Sequence, residues 1–392
     1  MRLIHGWIFA GLLIFSQSPN AHAELETFYE NSSASPLISF LKSAHQNIDI
    51  EIYEMDDPLV HSTIVAALKR GVKVRVVQED RPVGASCKLF EAADKADSKS
   101  CQSEKALVAS VRQAGGQYVP FNHAALCGKA GSHCFEHGKI VIVDGTSVLI
   151  STGNFNSTSI CNKSEHPDNC NRDYSVVSKD ESVVSTLSKF FEKDLAGQAY
   201  DVGAILAQAP TDKLTVSPLS LQPMIDLINT AKSTLQIQNQ YLNDPDMNRA
   251  IMEAANRGVK VEVNVSSACS FGKPKGSEIT KWNNIFGGFD SAGIKSRIFT
   301  RKMQVGGVSG YLHAKTILVD GNLAWVGSVN GSTTSLSDNR EYGIFLVDGS
   351  EVQKLASFMN QDFADQNGES WQDSLECKND PRPAPQKRDG FR

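Results

Sequence analysis

The sequence predicts an α/β protein of two similar lobes, each a mixed, largely parallel sheet flanked by helices. Three observations predict it. The order helix, strand, helix, strand occurs in both halves; the junction "RGVKV" occurs at Arg70 to Val74 and again at Arg257 to Val261; and "HGKIVIVD" (His137 to Asp144) is matched by "HAKTILVD" (His313 to Asp320). Self-similarity on this scale marks a duplicated unit, and strands alternating with helices mark a helix-covered sheet.

Taken in order, the chain opens on a segment that reads as a signal peptide. Arg2 supplies the charge, "WIFAGLLIF" (Trp7 to Phe15) is apolar, and Ala21, His22 and Ala23 form a small-residue cleavage site. The apolar run is shorter than the roughly 18 residues a membrane span requires. Residues 1–23 are therefore expected to be removed after Ala23, leaving a secreted or periplasmic protein with no transmembrane segment. "PLISFLKSAHQNIDIEIY" (Pro36 to Tyr53) has a helical apolar stripe followed by strand alternation, and "QPMIDLINTAKSTLQIQNQY" (Gln222 to Tyr241) repeats it. Next comes a second helix, closed by Gly71 or Gly258 in the left-handed position, with valines opening a buried strand. Each half ends alike, "YSVVS" before "VVSTLSKFFEKDL" and "YGIFLV" before "VQKLASFMNQDF", a strand and an amphipathic helix. Periodicity lapses between Gly203 and Pro218, so the lobes are expected at 24–203 and 204–377, with a polar, proline-rich tail at 378–392.

Spacing supports duplication over coincidence. His313 follows His137 by 176 residues, as Asn330 follows Asn154; Glu341 follows Asp173 by 168, as Asp362 follows Asp194. The first half thus holds eight extra residues between Asn154 and Asp173, in the interval that contains "CNKSEHPDNC" (Cys161 to Cys170). All eight cysteines lie beyond residue 23. In an exported chain with no C-x-x-C they are expected to form disulfides rather than a metal site; the short spacings suggest Cys161–Cys170 and Cys127–Cys134, and Cys87–Cys101 and Cys269–Cys377 follow as the remaining pairs. The net charge is −5, and losing Arg2 with the signal makes it −6. Such a chain has no overall cationic field to draw in a polyanion.

The repeated H-x-K has a chemical reading. In a strand, residues i and i+2 share a face, so His137 stands beside Lys139, and His313 beside Lys315. One such pair binds a phosphate; two facing pairs can cleave a phosphodiester, one imidazole attacking phosphorus while the other protonates the leaving oxygen. Asn154 and Asn330, with the hydroxyls of Thr152 and Ser328 as substrate-binding groups, would hold the non-bridging oxygens. Asp173 and Glu341, at equivalent places in "NRDY" and "NREY", are acceptors fit to orient a histidine. Asp144 and Asp320 open a "DG" turn and read as structural acceptors. No metal or other cofactor is expected. His45, His61, His123, His133 and His166 have no partner in the second half and read as surface or loop residues.

Two H-x-K-x-x-x-x-D stretches, each followed by a turn with an asparagine, resemble the phospholipase D superfamily over nearly the whole mature chain. The second copy, "HAKTILVDGNLAWVGSVN", fits the family pattern throughout; the first, "HGKIVIVDGTSVLISTGN", carries Ser151 for the usual glycine and Thr152 for the usual serine. The resemblance implies an active site at a pseudo-twofold interface between two phospholipase D-like lobes, Glu341 paired with His137 and Asp173 with His313 across it. It implies hydrolysis of phospholipids through a phosphohistidine on His137, with His313 as acid, an alcohol replacing water in the transfer variant. The expected partner is phospholipid at a membrane surface, reached by a monomer; "WNNIFGGF" (Trp282 to Phe289) is a candidate lipid-facing stretch, although an aromatic-glycine stretch more often reads as core and turn. The alternative is a metal-independent nuclease, for which "RIFTRK" (Arg297 to Lys302) would line a nucleic-acid groove.

Overall fold

The computed structural model describes residues 25–82, 87–92, 94, 97–127, 134–270, 272–347 and 349–380. The expected signal segment, His133 and the tail beyond 380 lie outside the described residues. The first lobe runs β1 (Glu26–Glu30), α1 (Ser35–Lys42), β2 (Asn47–Ile52), α2 (Pro58–Lys69), β3 (Lys73–Gln78), α3 (Lys99–Gln113), β4 (Gln117–Pro120), α4 (His123–Cys127), β5 (Lys139–Val143), β6 (Ser147–Ser151), β7 (Asn169–Arg172), β8 (Tyr174–Ser178) and α5 (Glu181–Leu195). After α6 (Val202–Ala207) the second lobe runs β9 (Leu214–Ser217), α7 (Leu221–Thr230), β10 (Thr234–Asn239), α8 (Pro245–Asn256), β11 (Lys260–Ser266), α9 (Ser277–Ser291), β12 (Lys295–Phe299), β13 (Gln304–Val305), β14 (Val308–Leu312), β15 (Lys315–Val319), β16 (Leu323–Gly327), α10 (Thr333–Ser337), β17 (Glu341–Val347), α11 (Ser350–Ala364) and α12 (Trp371–Leu375).

Local sequence explains the repeated parts. α2 and α8 both start with Asp-Pro: Asp57 accepts the N–H groups of Leu59 and Val60, and Asp244 those of Asp246 and Met247, while the proline occupies a first-turn position that needs no donor. Both helices give way to a strand through a glycine at positive φ, Gly71 at 90° and Gly258 at 91°.

Among the described residues the strands form two seven-stranded sheets, ordered β1-β8-β6-β5-β2-β3-β4 and β12-β11-β10-β15-β16-β17-β9. The sheets are mixed, but the expectation of a largely parallel one needs correction. Only β2 with β3, β3 with β4, β10 with β11 and β11 with β12 pair in parallel. The reason lies in the motif itself. Asp144 and Asp320 take positive φ, followed by Gly145 and Gly321 also at positive φ, so β5 turns straight into β6 and β15 into β16 as antiparallel hairpins, with no crossover helix.

A third sheet, β13-β14-β7, joins the lobes. Its β7 comes from the first-half insertion and pairs in parallel with β14, Leu312 opposite Arg172. The Cys161–Cys170 disulfide closes the insertion, and Cys87–Cys101 and Cys269–Cys377 are also formed; the expected Cys127–Cys134 pair involves a side chain outside the described residues. The core has three parts. Apolar residues under α1 to α3 serve one lobe, those under α7 to α9 the other, and a middle layer takes residues from both, including Tyr174, Phe190, Tyr342 and Met359. The "WNNIFGGF" stretch lies within α9, where Phe286 and Phe289 are buried and Phe286 stacks on Trp371. It is core of the second lobe, because its aromatics fall on the inward face of a helix rather than in a loop.

Candidate active site

Two inter-lobe backbone contacts bring the motif residues together. On one side, β14 leads into His313 and β7 into Asp173, and the His313 N–H donates to the Arg172 carbonyl. On the other, Glu136 bridges Arg340 in parallel and the His137 N–H donates to the Arg340 carbonyl at 2.8 Å. Each histidine is thus registered against the residue that precedes the other lobe's acid. The side chains follow: His137 Nδ1 lies 2.9 Å from Glu341 Oε2, and His313 Nδ1 lies 3.0 Å from Asp173 Oδ1. A carboxylate at Nδ1 keeps the proton there and leaves Nε2 as the free nitrogen.

The acids are fixed in turn. Glu341 Oε1 accepts from Asn339 at 2.9 Å and from the Ser335 hydroxyl, and Asp173 Oδ1 accepts from the Thr152 hydroxyl at 2.7 Å. Thr152 and Ser328 were expected to bind substrate, but both are fully buried with their hydroxyls turned inward. Thr152 also accepts the Tyr174 N–H, and Ser328 is held against the backbone of Tyr342. They orient an acid and a strand rather than open into a cleft.

Lys139 and Lys315 are buried beside their histidines, Lys139 donating to the His137 carbonyl at 2.5 Å and Lys315 to the His313 carbonyl. Lys315 also reaches the Thr152 carbonyl of the first lobe at 3.3 Å, so the half-sites meet. Asn154 donates to Glu54 at 3.0 Å, and the amide oxygens of both Asn154 and Asn330 are buried without a partner. Asp144 and Asp320 lie at the far ends of β5 and β15. Asp144 accepts the N–H groups of His45, Gln46 and Asn47, and Asp320 those of Lys232, Ser233 and Thr234. Both hold their sheet's β2- or β10-side turn, away from the histidines.

Burial sets the charges. Desolvation, reinforced by Lys139 and Lys315 and opposed by Glu341, pushes His137 down to about 4. His313 is also lowered by burial, with Asp173 opposing. Desolvation lowers Lys139 to about 8 and Lys315 to about 7, partly offset by the surrounding carboxylates. Asp173 and Glu341 stay below the usual carboxylate range, because histidine and lysine neighbours outweigh their burial. Two imidazoles, two ammonium groups and two ionised acids around one interface form an arrangement able to bind an anionic phosphodiester and exchange its ester bonds.

Several residues at the site escaped the sequence reading. Arg172 and Arg340 each cross the interface, Arg172 to Asp362 at 2.8 Å and Arg340 to Asp194 at 2.9 Å. Their signal was present, since both arginines precede the acids and both aspartates keep the 168-residue offset. Tyr53 packs edge-on against His137 at 4.9 Å, and its equivalent in the second half is not aromatic. His123 bonds Glu79, which also accepts the Glu136 N–H ahead of His137. The "RIFTRK" arginines are engaged within the second lobe, Arg297 with the Asp365 carbonyl and Arg301 over the Tyr311 ring.

Comparison with known proteins accords with this geometry. Residues 37–195 and 224–363 each match the family model described as cardiolipin synthase, PLD-like domain. A cardiolipin synthase of Listeria welshimeri is 32% identical over 140 residues, 35% of this chain and 26% of that protein; the chain thus spans about a quarter of the length of the curated relatives it matches. Among solved structures, phosphatidylserine synthase of Haemophilus influenzae superposes with a TM-score of 0.60 at 14% identity, covering 88% of this chain and 87% of that one. Polyphosphate kinase of Porphyromonas gingivalis gives 0.57 at 14% identity, covering 89% and 52%. These structural likenesses speak for the fold, while the two matched segments take in both histidine motifs and most of the described chain: the chain belongs to the phospholipase D superfamily, in the family of the cardiolipin synthase, PLD-like domain.

Proposed function

We propose that this protein cleaves or transfers the phosphodiester of a phospholipid through a covalent phosphohistidine. The observation that carries the reading is the crossed pair of His–acid contacts, one histidine from each lobe with its lysine alongside. His137 Nε2 attacks phosphorus and the bond to the head-group oxygen breaks, while His313 Nε2–H gives that oxygen its proton. Neutral His313 then takes a proton from water, whose oxygen displaces His137 and releases the phosphatidic acid; an alcohol in place of water gives the transfer product. His137 is taken as the nucleophile, as the first motif is in similar two-lobed enzymes, and burial keeps its imidazole neutral, whereas an acid must keep access to its proton.

Phospholipid is preferred to nucleic acid because the net charge is −5 and the arginines of "RIFTRK" are engaged within the second lobe. The relatives named as cardiolipin and phosphatidylserine synthases support the same class. Among the described residues no helix is long and apolar enough to cross a membrane. Three closed disulfides suit an oxidising compartment, so the site is assigned to the exterior of the cytoplasm.

The test is a parallel assay with EDTA on phosphatidylcholine, phosphatidylethanolamine and single- and double-stranded DNA, joined to acid quench with a labelled nitrophenyl phosphodiester. Turnover of lipid and a labelled peptide containing His137 are expected, with His137→Ala forming no adduct and His313→Ala forming one that persists. Cleavage of DNA alone would establish the nuclease alternative, and activity lost to EDTA and restored by a divalent cation would overturn the mechanism.

A further inference from the structure

The reaction above leaves two buried carboxyls unused. Glu51 and Glu136 are both 0% exposed, and their carboxyl groups lie close enough to act directly on one another. Neither Oε2 of Glu51 nor either oxygen of Glu136 meets a donor from another residue. Two carboxyls bond to one another only by sharing a proton. Glu136 lies behind the motif strand: a Cβ on Gly138, the residue between His137 and Lys139, would come within 2.7 Å of Glu136 Oε1.

This pair is where the two repeats differ. Glu136 precedes His137 as Leu312 precedes His313. Glu51 lies opposite Ile140, just past Lys139, as Gln238 lies opposite Thr316, just past Lys315. Tyrosines confirm the equivalence, since the Tyr342 hydroxyl donates to Glu51 and the Tyr174 hydroxyl to Gln238, each at 2.9 Å. Histidine, lysine, asparagine, arginine and tyrosine are kept in both halves. Behind the lysine, one half has two carboxyls and the other an amide and a leucine.

Granting the phosphodiester reading, we propose that Glu136 is a positioning residue of the first half-site, a carboxylate behind the strand that keeps the Lys139 ammonium charged and so makes the two half-sites electrostatically unequal. The charged groups acting on Lys139 are Glu341, Glu136, Asp173 and Glu54, with Lys315 in opposition. Those acting on Glu136 are Glu51, Asp194, Arg340 and Lys139. The ordering of the lysines fits: burial lowers Lys139 to about 8 but Lys315, with no carboxyl pair behind it, to about 7. Glu136 is itself pushed up to about 8 by burial, so it ionises over the range in which Lys139 would otherwise lose its proton. The first half-site then retains its grip on phosphate after the second has begun to release it.

The experiment measures binding of dimethyl phosphate, a monoanion across the range, to the full protein at pH 6 and pH 8. Glu136→Gln is expected to weaken binding about 5-fold at pH 8, as a drop of one pKa unit takes Lys139 from about half charged to about a tenth, and to leave pH 6 nearly unchanged. Glu51→Gln, which retains an acceptor for Tyr342 and gives Glu136 a donor in place of a shared proton, is expected to hold or tighten binding at pH 8. Opposite responses distinguish electrostatic tuning from packing, which would make both variants lose affinity at both pH values. Equal losses, no change in Glu136→Gln at pH 8, or tighter binding by Glu136→Gln at both pH values would overturn the proposal. If Glu136→Gln does not fold, weaker binding by Glu51→Gln at pH 8 overturns it alone. Wild-type protein that fails to bind dimethyl phosphate at pH 6 would instead remove the phosphodiester reading itself.

Discussion

At the scale of single residues, the proposed mechanism depends on keeping neutral what must attack and charged what must hold phosphate. His137, lowered to about 4, stays unprotonated down to that pH and loses its lone pair below it. Lys315, lowered to about 7, is charged below that pH and loses its charge as pH rises through it. His313, also lowered by burial, loses the proton the leaving oxygen needs as pH rises, so the profile of kcat/KM is expected to be a bell with its rising limb near 4 and its falling limb, set by His313 and Lys315, at about 7 or below; a soluble phosphodiester assayed from pH 3.5 to 9 gives it, and an optimum above 8 would contradict these charge states. The acids act through the imidazoles. Glu341→Gln and Asp173→Asn should each lower kcat by roughly 10² to 10⁴, because an amide no longer holds the proton on Nδ1 or stabilises the imidazolium. The two should differ in kind, since Glu341→Gln slows adduct formation with any leaving group, while Asp173→Asn spares an activated nitrophenyl ester. Rapid-quench rates on the two ester classes separate them.

Among the elements, β7 has the least expected role. The sequence marks its interval as an insertion closed by Cys161 and Cys170, yet the strand leaves its own lobe and pairs with β14. Asp173 follows β7 and His313 follows β14, so the insertion supplies backbone register to one His–acid pair. Among the described residues, strand pairing on the His137–Glu341 side is limited to the Glu136–Arg340 bridge. Replacing Cys161 and Cys170 by serine is expected to cost about 2 to 4 kcal/mol and to lower kcat, because β7 loses its anchor next to Asp173. Removing Cys87 and Cys101, which clasp α3 to the preceding loop, should lower the melting temperature but leave kcat nearly unchanged. Calorimetry with steady-state assays on both variants checks this; equal effects on kcat would mean that β7 needs no clasp.

Across the whole molecule the lobes are bolted by two equivalent ion pairs, Arg172 with Asp362 and Arg340 with Asp194. Arg340 is 1% exposed and also donates to the Ser217 carbonyl and the Tyr200 hydroxyl. Removing one partner of such a pair strands a buried charge, so Asp194→Ala should destabilise the fold by roughly 3 to 5 kcal/mol. Because the same arginine carries the carbonyl that receives the His137 N–H, activity should fall along with stability. A double-mutant cycle with Arg340→Met, followed by denaturant unfolding, is expected to show a smaller loss in the double variant than the single losses sum to; strict additivity would show that the pair does not couple the lobes.

Sequence alone determined the duplication, the strands that begin at Lys139 and Lys315, the glycine caps of the repeated helices and the closely spaced disulfides, since periodicity, turn chemistry and spacing are local or repeat with the chain; the histidines themselves stand just ahead of those strands. It also singled out Asp173 and Glu341, by their equal offset from one another as much as by chemistry. Tertiary structure decided the rest. Whether the sheets were parallel depended on how β5 and β15 return against β2 and β10, a long-range pairing that alternation does not encode. Thr152 and Ser328 offered hydroxyls to a cleft in the sequence, but packing between the lobes turned them onto Asp173 and the Tyr342 backbone. The Arg–Asp bolts join residues 190 and 146 positions apart, and Glu51 reaches Glu136 only because β2 lies beside β5. Such contacts arise when two lobes bury one polar interface, where every charge must find a partner that no local pattern specifies.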